Sequence, residues 1–306
     1  MTAPVALFAY ARPEHLEKTL ASLRANRRAQ ETPLIVFCDG ARSSADAQSV
    51  ERVRQIAGSA TGFKSLDVRV RAHNVGLATS IIEGVSQVCE AFGRVIVLED
   101  DMIVSPTFLD FMNDALDTYA VQPKVWHITG WNYPIDIEGL QESFLWRGMN
   151  CWGWATWADR WVNFHKDPEQ LISSWTLRQI DRFNIDRAEP DFWGQVEANA
   201  RGDLNTWAIF WYATIFRQNG LCLNPSKSLV LNIGLDGSGE HCGPDVSTLQ
   251  SRDLKPSRHH RFPTDLAENT VALARIKTVF GQQRHISFNK KIRRRLKLVL
   301  KYGMRR

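Results

Sequence analysis

The sequence predicts an α/β protein built on a Rossmann-like, mostly parallel sheet with flanking helices. Over about the first 130 residues, short apolar runs alternate with stretches of helical periodicity, which is the pattern of parallel strands joined by crossover helices. Tryptophan content then changes abruptly, which indicates a second half fused to the first. With 306 residues and 44% hydrophobic composition, the chain can bury a large core as one unit or as two halves with a shared interface.

Each strand of the first half is predicted by an apolar run, at 5–9, 34–38, 66–70, 95–98 and 125–129. The helices between these strands have recognisable starts. Pro13 suits a first-turn position, Ser44 precedes an acidic turn, and Ser105 with Pro106 matches an N-cap followed by the first helical residue. Residues 77–92 carry apolar side chains at helical spacing, which predicts one further helix.

Three segments of different composition follow one another along the chain. Residues 1–125 hold the alternating pattern, and residues 126–245 hold all eleven tryptophans, a strand-like run at 228–233 and a glycine-rich loop at 234–243. Residues 246–306 are mainly polar and basic, with a helix predicted over 266–280 and a basic amphipathic tail. Neither G-x-G-x-x-G nor G-x-x-x-x-G-K-[ST] occurs, which disfavours hydride transfer with a dinucleotide and P-loop phosphoryl transfer.

The net charge of +5 is a property of the tail. Residues 290–306 contain nine Lys and Arg and no acid, so the rest of the chain has 29 basic and 33 acidic residues, a net charge of −4. Nucleic-acid-binding domains usually carry a basic patch on the folded body, and we therefore expect no nucleic-acid partner. Apolar residues at helical spacing in the tail predict contact with an anionic membrane surface, with a solvated disordered tail as the alternative.

Five scattered cysteines without a C-x-x-C pair favour reduced thiols over a disulfide framework or a zinc site. The first residues lack the positive region of a signal peptide, and no apolar run approaches the roughly 18 residues that span a bilayer. We expect a cytoplasmic body whose tail lies on the inner face of the cytoplasmic membrane.

An apolar strand runs directly into three carboxylates, Glu99, Asp100 and Asp101. Ligands bind at the carboxyl ends of such strands in open α/β sheets. Extended-chain alternation predicts that Glu99 and Asp101 face one way and Asp100 the other. A cluster of like charges needs a cation, and Mg²⁺ or Mn²⁺ held through one or two carboxylates and substrate phosphates fits it. A solvated acidic turn before the helix at Pro106 is the alternative.

The run V-L-E-D-D followed by S-P-T-F-L-D-F-M resembles the Glu-Asp-Asp motif of GT-A fold glycosyltransferases, in the branch of the N-acetylglucosaminyltransferase that initiates complex N-glycans, and is also similar to bacterial family 2-like enzymes. The resemblance implies that Asp101 ligates Mn²⁺ or Mg²⁺ and that Glu99 and Asp100 contact the donor. It assigns residues 1–125 to a nucleotide-sugar half, 126–245 to an acceptor half with the catalytic loop, and 246–306 to a helical region.

Further matches follow in the order of this family. Arg12, after the first strand, is suited to pair with a phosphate. The resemblance implies that Asp39 contacts uracil and that the R-A-H-N-V-G-L run, with Arg71 and Asn74, forms a turn beside the donor. Each has a plainer interpretation, because Asp39 begins a common turn dipeptide, Asn74 suits a left-handed turn and Arg12 could be a surface residue.

The acceptor half matches the family less completely. The run M-N-C-W-G-W-A-T-W-A-D-R-W, residues 149–161, resembles the Gly-x-Gly-Trp segment that forms the floor between donor and acceptor. Two or three tryptophans are expected to contact sugar, and core packing accounts for most of the rest, since Trp154, Trp157 and Trp161 have helical spacing.

His241, in the glycine-rich loop, is the candidate for an additional metal ligand, and the adjacent Cys242 suits Mg²⁺ or Mn²⁺ poorly. Inverting relatives place an Asp at the position of Ala208, so the general base is unassigned. Asp203 is the first candidate base, and Asp191 and Glu189 are the next candidates.

The resemblance therefore implies a metal-dependent hexosyl- or N-acetylhexosaminyltransferase. It would move sugar from a UDP-sugar, with inversion, to a hydroxyl of a glycan or lipid-linked acceptor in bacterial surface polysaccharide or glycoconjugate synthesis. Two alternatives stay open. One is a sugar-1-phosphate nucleotidylyltransferase, which would open with a glycine-rich loop absent after the first strand, and the other is an inactive glycan-binding homologue.

Overall fold

The computed structural model describes residues 2–188, 191–236, 254 and 260–281. Ten strands occur in the described ranges, and the bounds of all ten follow in chain order. They are β1 Val5–Ala9, β2 Pro33–Cys38, β3 Ser65–Val70, β4 Arg94–Glu99, β5 Met102–Val104, β6 Val125–Thr129, β7 Ser143–Trp146, β8 Trp154–Trp157, β9 Leu221–Pro225 and β10 Val230–Asn232.

The helices of the described residues connect and cover these strands. They are α1 Pro13–Arg24, α2 Ala47–Gly58, α3 Leu77–Phe92, α4 Phe108–Tyr119, α5 Ala158–Trp161, α6 Pro168–Ser174, α7 Leu177–Phe183, α8 Asp191–Ala200, α9 Ala208–Arg217 and α10 over 270–281.

Eight of the strands form one sheet in the order β3-β2-β1-β4-β8-β6-β9-β7, while β10 and β5 form a separate antiparallel pair. Strands β3, β2, β1 and β4 are mutually parallel, and β9 is parallel to β6. Strand β8 enters between β4 and β6 and is antiparallel to both. The predicted α/β fold with a mostly parallel sheet and flanking helices is confirmed, and the two halves of the chain share this one sheet.

Alternate residues of each central strand supply two separate cores, one on each face of the sheet. On β1, Val5 and Leu7 pack with α1, α2 and α4, whereas Ala6 and Phe8 pack with α3 and the helices of the second half. The largest fully buried side chains include Trp146, Trp154, Trp211 and Tyr119. The protein is therefore a three-layer arrangement of helices, sheet and helices.

The tryptophans are mainly core residues, as the sequence indicated. Nine of the eleven are buried, and Trp152 and Trp175 are partly exposed. The helical spacing of Trp154, Trp157 and Trp161 was misleading, because the first two lie on β8 and only Trp161 lies on a helix. Trp154 and Trp157 are three residues apart on a strand, where side chains alternate between the two faces, so they pack in opposite cores.

Most of the predicted elements are confirmed, and three predicted boundaries are wrong. Helix α2 begins at Ala47, and its N-cap residue is Asp46 instead of Ser44. Helix α4 begins at Phe108 with Thr107 as its N-cap, because Ser105 and Pro106 belong to a preceding turn in which Phe108 N–H donates to the Ser105 carbonyl. The strand predicted over 228–233 is the short β10, and the longer strand β9 was not predicted.

The described cysteines, Cys38, Cys89, Cys151 and Cys222, are all free thiols. Within the described residues, no helix is both long enough and apolar enough to cross a membrane.

Candidate active site

The acidic motif lies where β4 ends. Phe8 of β1 pairs in register with Glu99, the last residue of β4, so the loop that follows β1 lies beside the loop that follows β4. The chain turns at Asp100 and Asp101 and leaves along β5. The motif is thus at the carboxyl-terminal edge of the four parallel strands, where open α/β sheets bind ligands.

Arg12 joins the two loops. Its guanidinium donates through Nη1 to Asp101 Oδ2 at 2.8 Å and through Nη2 to Asp100 Oδ1. The backbone N–H of Tyr10 donates to the other oxygen of Asp100 at 2.9 Å. One cation therefore bridges both aspartates, and both oxygens of Asp100 are engaged. Arg12 was predicted to pair with a phosphate; in the structure its partners are these carboxylates.

The expected alternation of the three carboxylates is wrong. Asp100 and Asp101 both reach Arg12 instead of facing opposite sides, because the strand ends at Glu99 and the next two residues form a turn. The period-two rule applies only while the backbone stays extended.

The loop between β1 and α1 is held in a strained backbone conformation. Ala11 has φ +46°, in the left-handed region that costs a residue with a Cβ on the order of 1 kcal/mol or more. This conformation brings the Tyr10 N–H and the Arg12 side chain to the same carboxylate. Strain of this kind persists only where the surrounding contacts fix it, which here are the contacts to Asp100.

The carbonyls of the two aspartates are also fixed. Thr19 on α1, which is fully buried, donates its hydroxyl to the Asp100 carbonyl at 2.7 Å. The Ile233 N–H donates to the Asp101 carbonyl at 2.9 Å. The aspartates are thus tied to α1 on one side and to the chain that follows β10 on the other.

The backbone after β10 lies directly against the arginine and its partner. A Cβ added to Gly234 would lie 2.1 Å from Asp101 Oδ2 and 2.9 Å from Arg12 Nη1. Only a residue without a side chain fits here. Because Asp100 and Asp101 are both buried, this segment closes one side of the acidic cluster.

Burial controls the charge of the cluster. Loss of hydration raises the pKa of Glu99, and the neighbouring charges of Asp101 and Asp100 raise it further, against a smaller opposing effect of Arg12. Burial also raises the pKa of Asp100, although the ion pair with Arg12 and the hydrogen bond from Tyr10 oppose the change. Within the described ranges, Arg12 is the one cation that pairs with these carboxylates, so the described part of the cluster is short of positive charge.

Asp101 has a buried oxygen without a partner among the described residues. Oδ2 accepts from Arg12, while Oδ1 is buried and accepts no hydrogen bond from any described group. A buried acceptor without a hydrogen bond lowers stability by on the order of 1–3 kcal/mol, and by more when the group is charged. It is an acceptor available to a cation.

The residues fit a divalent metal held in part by a substrate rather than one enclosed by protein. Among the described residues no group of three His, Cys, Asp or Glu could hold a metal ion by itself. Mg²⁺ commonly uses one or two carboxylates and completes its shell with waters and substrate phosphates. Asp101 Oδ1 supplies one such oxygen.

Asp39 and Asn74 lie at the same edge of the sheet, but their contacts are to backbone. The Asp39 carboxylate accepts from the N–H groups of Gly40, Val75 and Gly76 at 2.8, 3.1 and 2.9 Å. Asn74 donates to the Gly40 carbonyl at 2.9 Å. These bonds fix the loops after β2 and β3 to one another. The uracil contact of Asp39 and the donor contact of Asn74 stay predictions.

Arg71 follows β3, where its guanidinium forms an ion pair with Glu83 of α3 at 2.5 Å. Its backbone N–H donates to the Cys38 carbonyl at 3.0 Å, which continues the ladder between β2 and β3 by one residue. The structure thus brings Arg71 to the candidate edge, engaged with an acid on a helix.

The tryptophan-rich half reaches this edge through Gly153. A Cβ on Gly153 would lie 3.3 Å from a methyl group of Leu98, the residue before Glu99. Trp152, one residue earlier, is partly exposed and packs edge-on against Trp131 at a centroid distance of 4.7 Å. Of the two partly exposed tryptophans, Trp152 is therefore the one whose neighbour in the sequence lies against β4.

The candidate bases lie apart from these contacts. Asp203 is exposed in the turn between α8 and α9 and pairs with Arg201 at 2.8 Å, and no contact between described residues links it to the acidic cluster. Asp191 begins α8 and is exposed. Glu189, His241 and Cys242 lie outside the described residues.

Tyr10, Thr19 and Gly234 complete the site and were not singled out in the sequence. Thr19 carried a usable signal, because it is a polar residue on the apolar face of α1 that holds Leu16, Leu20 and Leu23. Tyr10 takes part through its backbone and so leaves no signal in a side-chain pattern.

No protein-family model matches the chain, and no curated protein matches it. A solved structure that is similar is the mannosyltransferase PcManGT from Pyrobaculum calidifontis in complex with GDP-Man and Mn²⁺. It is 12% identical, and the match covers 71% of this chain and 70% of that one with a TM-score of 0.36. The likeness is distant, and the function of this chain is inferred from its own residues.

Proposed function

We propose that the protein is a metal-dependent glycosyltransferase that transfers a sugar from a UDP-sugar to a hydroxyl of a glycan or lipid-linked acceptor. The observation that carries the proposal is the unpartnered, buried Asp101 Oδ1 beside Arg12 at the carboxyl-terminal edge of the sheet. A nucleoside diphosphate with a divalent cation satisfies this oxygen and gives the under-neutralised cluster the positive charge it lacks.

The chain's own residues divide the work of donor binding. Asp101 would hold the metal through Oδ1, and a metal bound there would supply Lewis-acid stabilisation of the charge that develops on the departing diphosphate. Arg12 has two donor nitrogens directed at this corner and can exchange a carboxylate for a phosphate oxygen, since its fork geometry suits both. Glu99, partly exposed at the end of β4, is the carboxylate proposed to contact the donor ribose.

The acceptor is proposed to bind on the side of Trp152. A partly exposed indole offers a flat apolar face to the C–H groups of a sugar ring. The general base must accept the proton of the attacking hydroxyl, and Asp203 remains the first candidate. We further propose inversion, a role in bacterial surface glycan synthesis, and a cytoplasmic location with the basic tail at the inner face of the membrane.

Release of the nucleoside diphosphate, UDP or GDP, from a panel of nucleotide sugars, with and without Mn²⁺, tests the proposal. The panel includes GDP-mannose beside the UDP-sugars, so that donor class is a measured result. We expect slow metal-dependent UDP release by the wild type. Asp101→Asn should reduce it by more than about 100-fold, since loss of a group that only supports a metal ligand already costs roughly 10- to 100-fold.

Asp67→Asn is the matched control, because Asp67 is an exposed acid on β3 that pairs with Arg69. Its release rate should equal that of the wild type. Manganese-dependent binding of UDP, measured by calorimetry, gives a readout separate from turnover. Binding that Asp101→Asn leaves unchanged would contradict the proposal.

The same assay separates the two alternatives. A nucleotidylyltransferase would form diphosphate from a nucleoside triphosphate and a sugar phosphate, and a binding protein would form neither product. Formation of diphosphate without UDP release would replace the proposed function by the first alternative. Glycan binding without either reaction would replace it by the second.

A further inference from the structure

A cavity lined by several arginines lies away from the acidic cluster. It has a volume of about 280 Å³, and Arg147, Arg178, Arg182, Arg217, Glu268 and Trp175 are among the residues that line it. Four arginines therefore face one glutamate. A cavity of this size, somewhat below the usual range for drug-sized ligands, suits a small ligand.

The topology places this cavity at the opposite edge of the sheet from the acidic cluster. Leu221, which lines the cavity, is the first residue of β9, and Arg147 directly follows β7, which is antiparallel to β9. Strand β9 is parallel to β6, and β6 runs in the same direction as β4 because β8 is antiparallel to both. The cavity is thus at the amino-terminal edge of the strands whose carboxyl-terminal edge carries Glu99.

Arg147 forms the buried base of the cavity. It is 8% exposed, its Nη2 donates to Asp186 at 2.6 Å, and its backbone N–H donates to Glu268 at 3.2 Å. Its Nε lies 3.5 Å from Glu268 but makes no hydrogen bond with any described group. A buried guanidinium N–H is therefore left for a further acceptor.

Arg178 and Arg182 add positive charge that the fold does not neutralise. They are four residues apart on α7, hence on one face, and no described carboxylate lies within 4 Å of either. Arg178 is the second residue of α7, and the positive end of the helix dipole disfavours a cation at that position. The helix itself therefore does not explain why an arginine is present there. Arg217 contributes a third exposed guanidinium, held by Gln170 at 3.2 Å.

We propose that this cavity is a binding site for a phosphoryl group, carried by a small phosphate ester or a diphosphate. Arginine forks match phosphate oxygens through paired hydrogen bonds, and a dianion fits the surplus of positive charge. Trp175, partly exposed on the wall, can pack against the organic part of such a ligand. The proposal is independent of the proposed function, since it uses none of the residues of the acidic cluster.

Titration of the full-length protein with inorganic phosphate and inorganic diphosphate, followed by calorimetry in low salt with EDTA, tests this site. The double variant Arg178→Gln/Arg182→Gln removes two charges from the cavity. Arg27→Gln/Arg52→Gln removes two exposed charges elsewhere and serves as the matched control. We expect diphosphate affinity to fall about 10-fold or more in the cavity variant, as for loss of charged hydrogen bonds, and to be unchanged in the control.

Two further arms identify the source of the phosphoryl group and exclude the other site. Vesicles of phosphatidylcholine with and without phosphatidylglycerol test a lipid headgroup. The basic tail is present in every variant, so weaker vesicle binding by the cavity variant than by the control variant would assign the site to that source. Asp101→Asn should bind diphosphate as the wild type does. Equal losses in cavity and control variants, loss only in Asp101→Asn, or no binding of any of these probes would overturn the proposal.

Discussion

His127 is a fully buried imidazole whose hydrogen bonds fix its proton. Nδ1 accepts from the indole N–H of Trp211 at 3.2 Å, so the proton is on Nε2, which donates to the Asn150 carbonyl at 2.9 Å. Trp154 stacks on the ring at a centroid distance of 5.3 Å. Burial lowers the pKa of His127 to about 3, although the Asn150 carbonyl opposes the change.

The neutral His127 makes stability depend on pH. In the unfolded chain a histidine has a pKa of about 6.5, so between roughly pH 6.5 and 3 only the unfolded state binds this proton. The free energy of unfolding should therefore fall as the pH falls, by about 1.4 kcal/mol per pH unit from this group. Urea unfolding of the wild type and His127→Gln at pH 7 and pH 5 measures the difference. The variant should lose about 2 kcal/mol less than the wild type between these two pH values, and equal losses would contradict the assignment.

Gly234 is the residue on which closure of the acidic cluster depends. Gly234→Ala should lower the free energy of unfolding by about 1–3 kcal/mol, because its Cβ would overlap Asp101 Oδ2 and force the ion pair with Arg12 apart. Gly194→Ala is the control, since its Cβ meets nothing within 4 Å and α8 should gain about 0.5–1 kcal/mol from the substitution. Urea unfolding of both variants measures these changes. A Gly234→Ala variant as stable as the wild type would show that the segment does not lie against Asp101.

At this scale the sequence located the acidic residues but not what they contact. Consecutive carboxylates after an apolar run are visible as a pattern, whereas Arg12 and Asp100 are 88 positions apart and meet only because β1 pairs with β4. The roles of Asp39 and Asn74 in holding two loops together depend in the same way on long-range contacts.

Helix α3 packs closely against the sheet at Gly84. A Cβ on Gly84 would lie 2.6 Å from the ring of Phe8 and 3.1 Å from that of Phe37, two rings stacked 4.8 Å apart on β1 and β2. The helix therefore approaches the sheet closely just before β1 leads into the Arg12 loop.

Gly84→Ala should destabilise the protein by about 1–3 kcal/mol, because the stacked rings must shift to admit a methyl group. Gly58→Ala at the end of α2 is the matched control, since nothing lies within 4 Å of its Cβ. Thermal or urea unfolding of both variants measures the change in the free energy of unfolding. A change no larger than that of the control would mean that α3 is not in close contact with β1 and β2.

The strands that are buried on both faces of the sheet were predicted correctly, because burial gives them a simple sequence pattern. The parallel strands β1, β2 and β4 are covered on both faces and therefore appear as continuous apolar runs. Strand β9 is equally buried, but its five residues end in Asn224 and Pro225, two residue types that are depleted in strands, so its apolar run is too short to indicate a strand. The aromatic spacing that indicated a helix at 154–161 belongs to a strand and a four-residue helix.

For the whole molecule, charge is divided between an acidic body and a basic tail. The tail of residues 290–306 carries nine basic side chains against a body of net −4. Deleting these residues should abolish sedimentation with vesicles that contain phosphatidylglycerol, because each basic residue contributes about 1 kcal/mol near anionic lipid. Binding to pure phosphatidylcholine should be weak in both proteins. Equal binding of the deletion and the full chain to the anionic vesicles would locate the contact elsewhere.

Strand β8 has a consequence for any attempt to divide the chain. It supplies the hydrogen-bonding partner on the open side of β4, although it comes from the tryptophan-rich half. In a fragment that stops at residue 125, the apolar strand β4 would be an exposed edge strand of the sheet. Such a fragment should self-associate through that exposed edge, so residues 1–125 and the tryptophan-rich half are to be made and purified together.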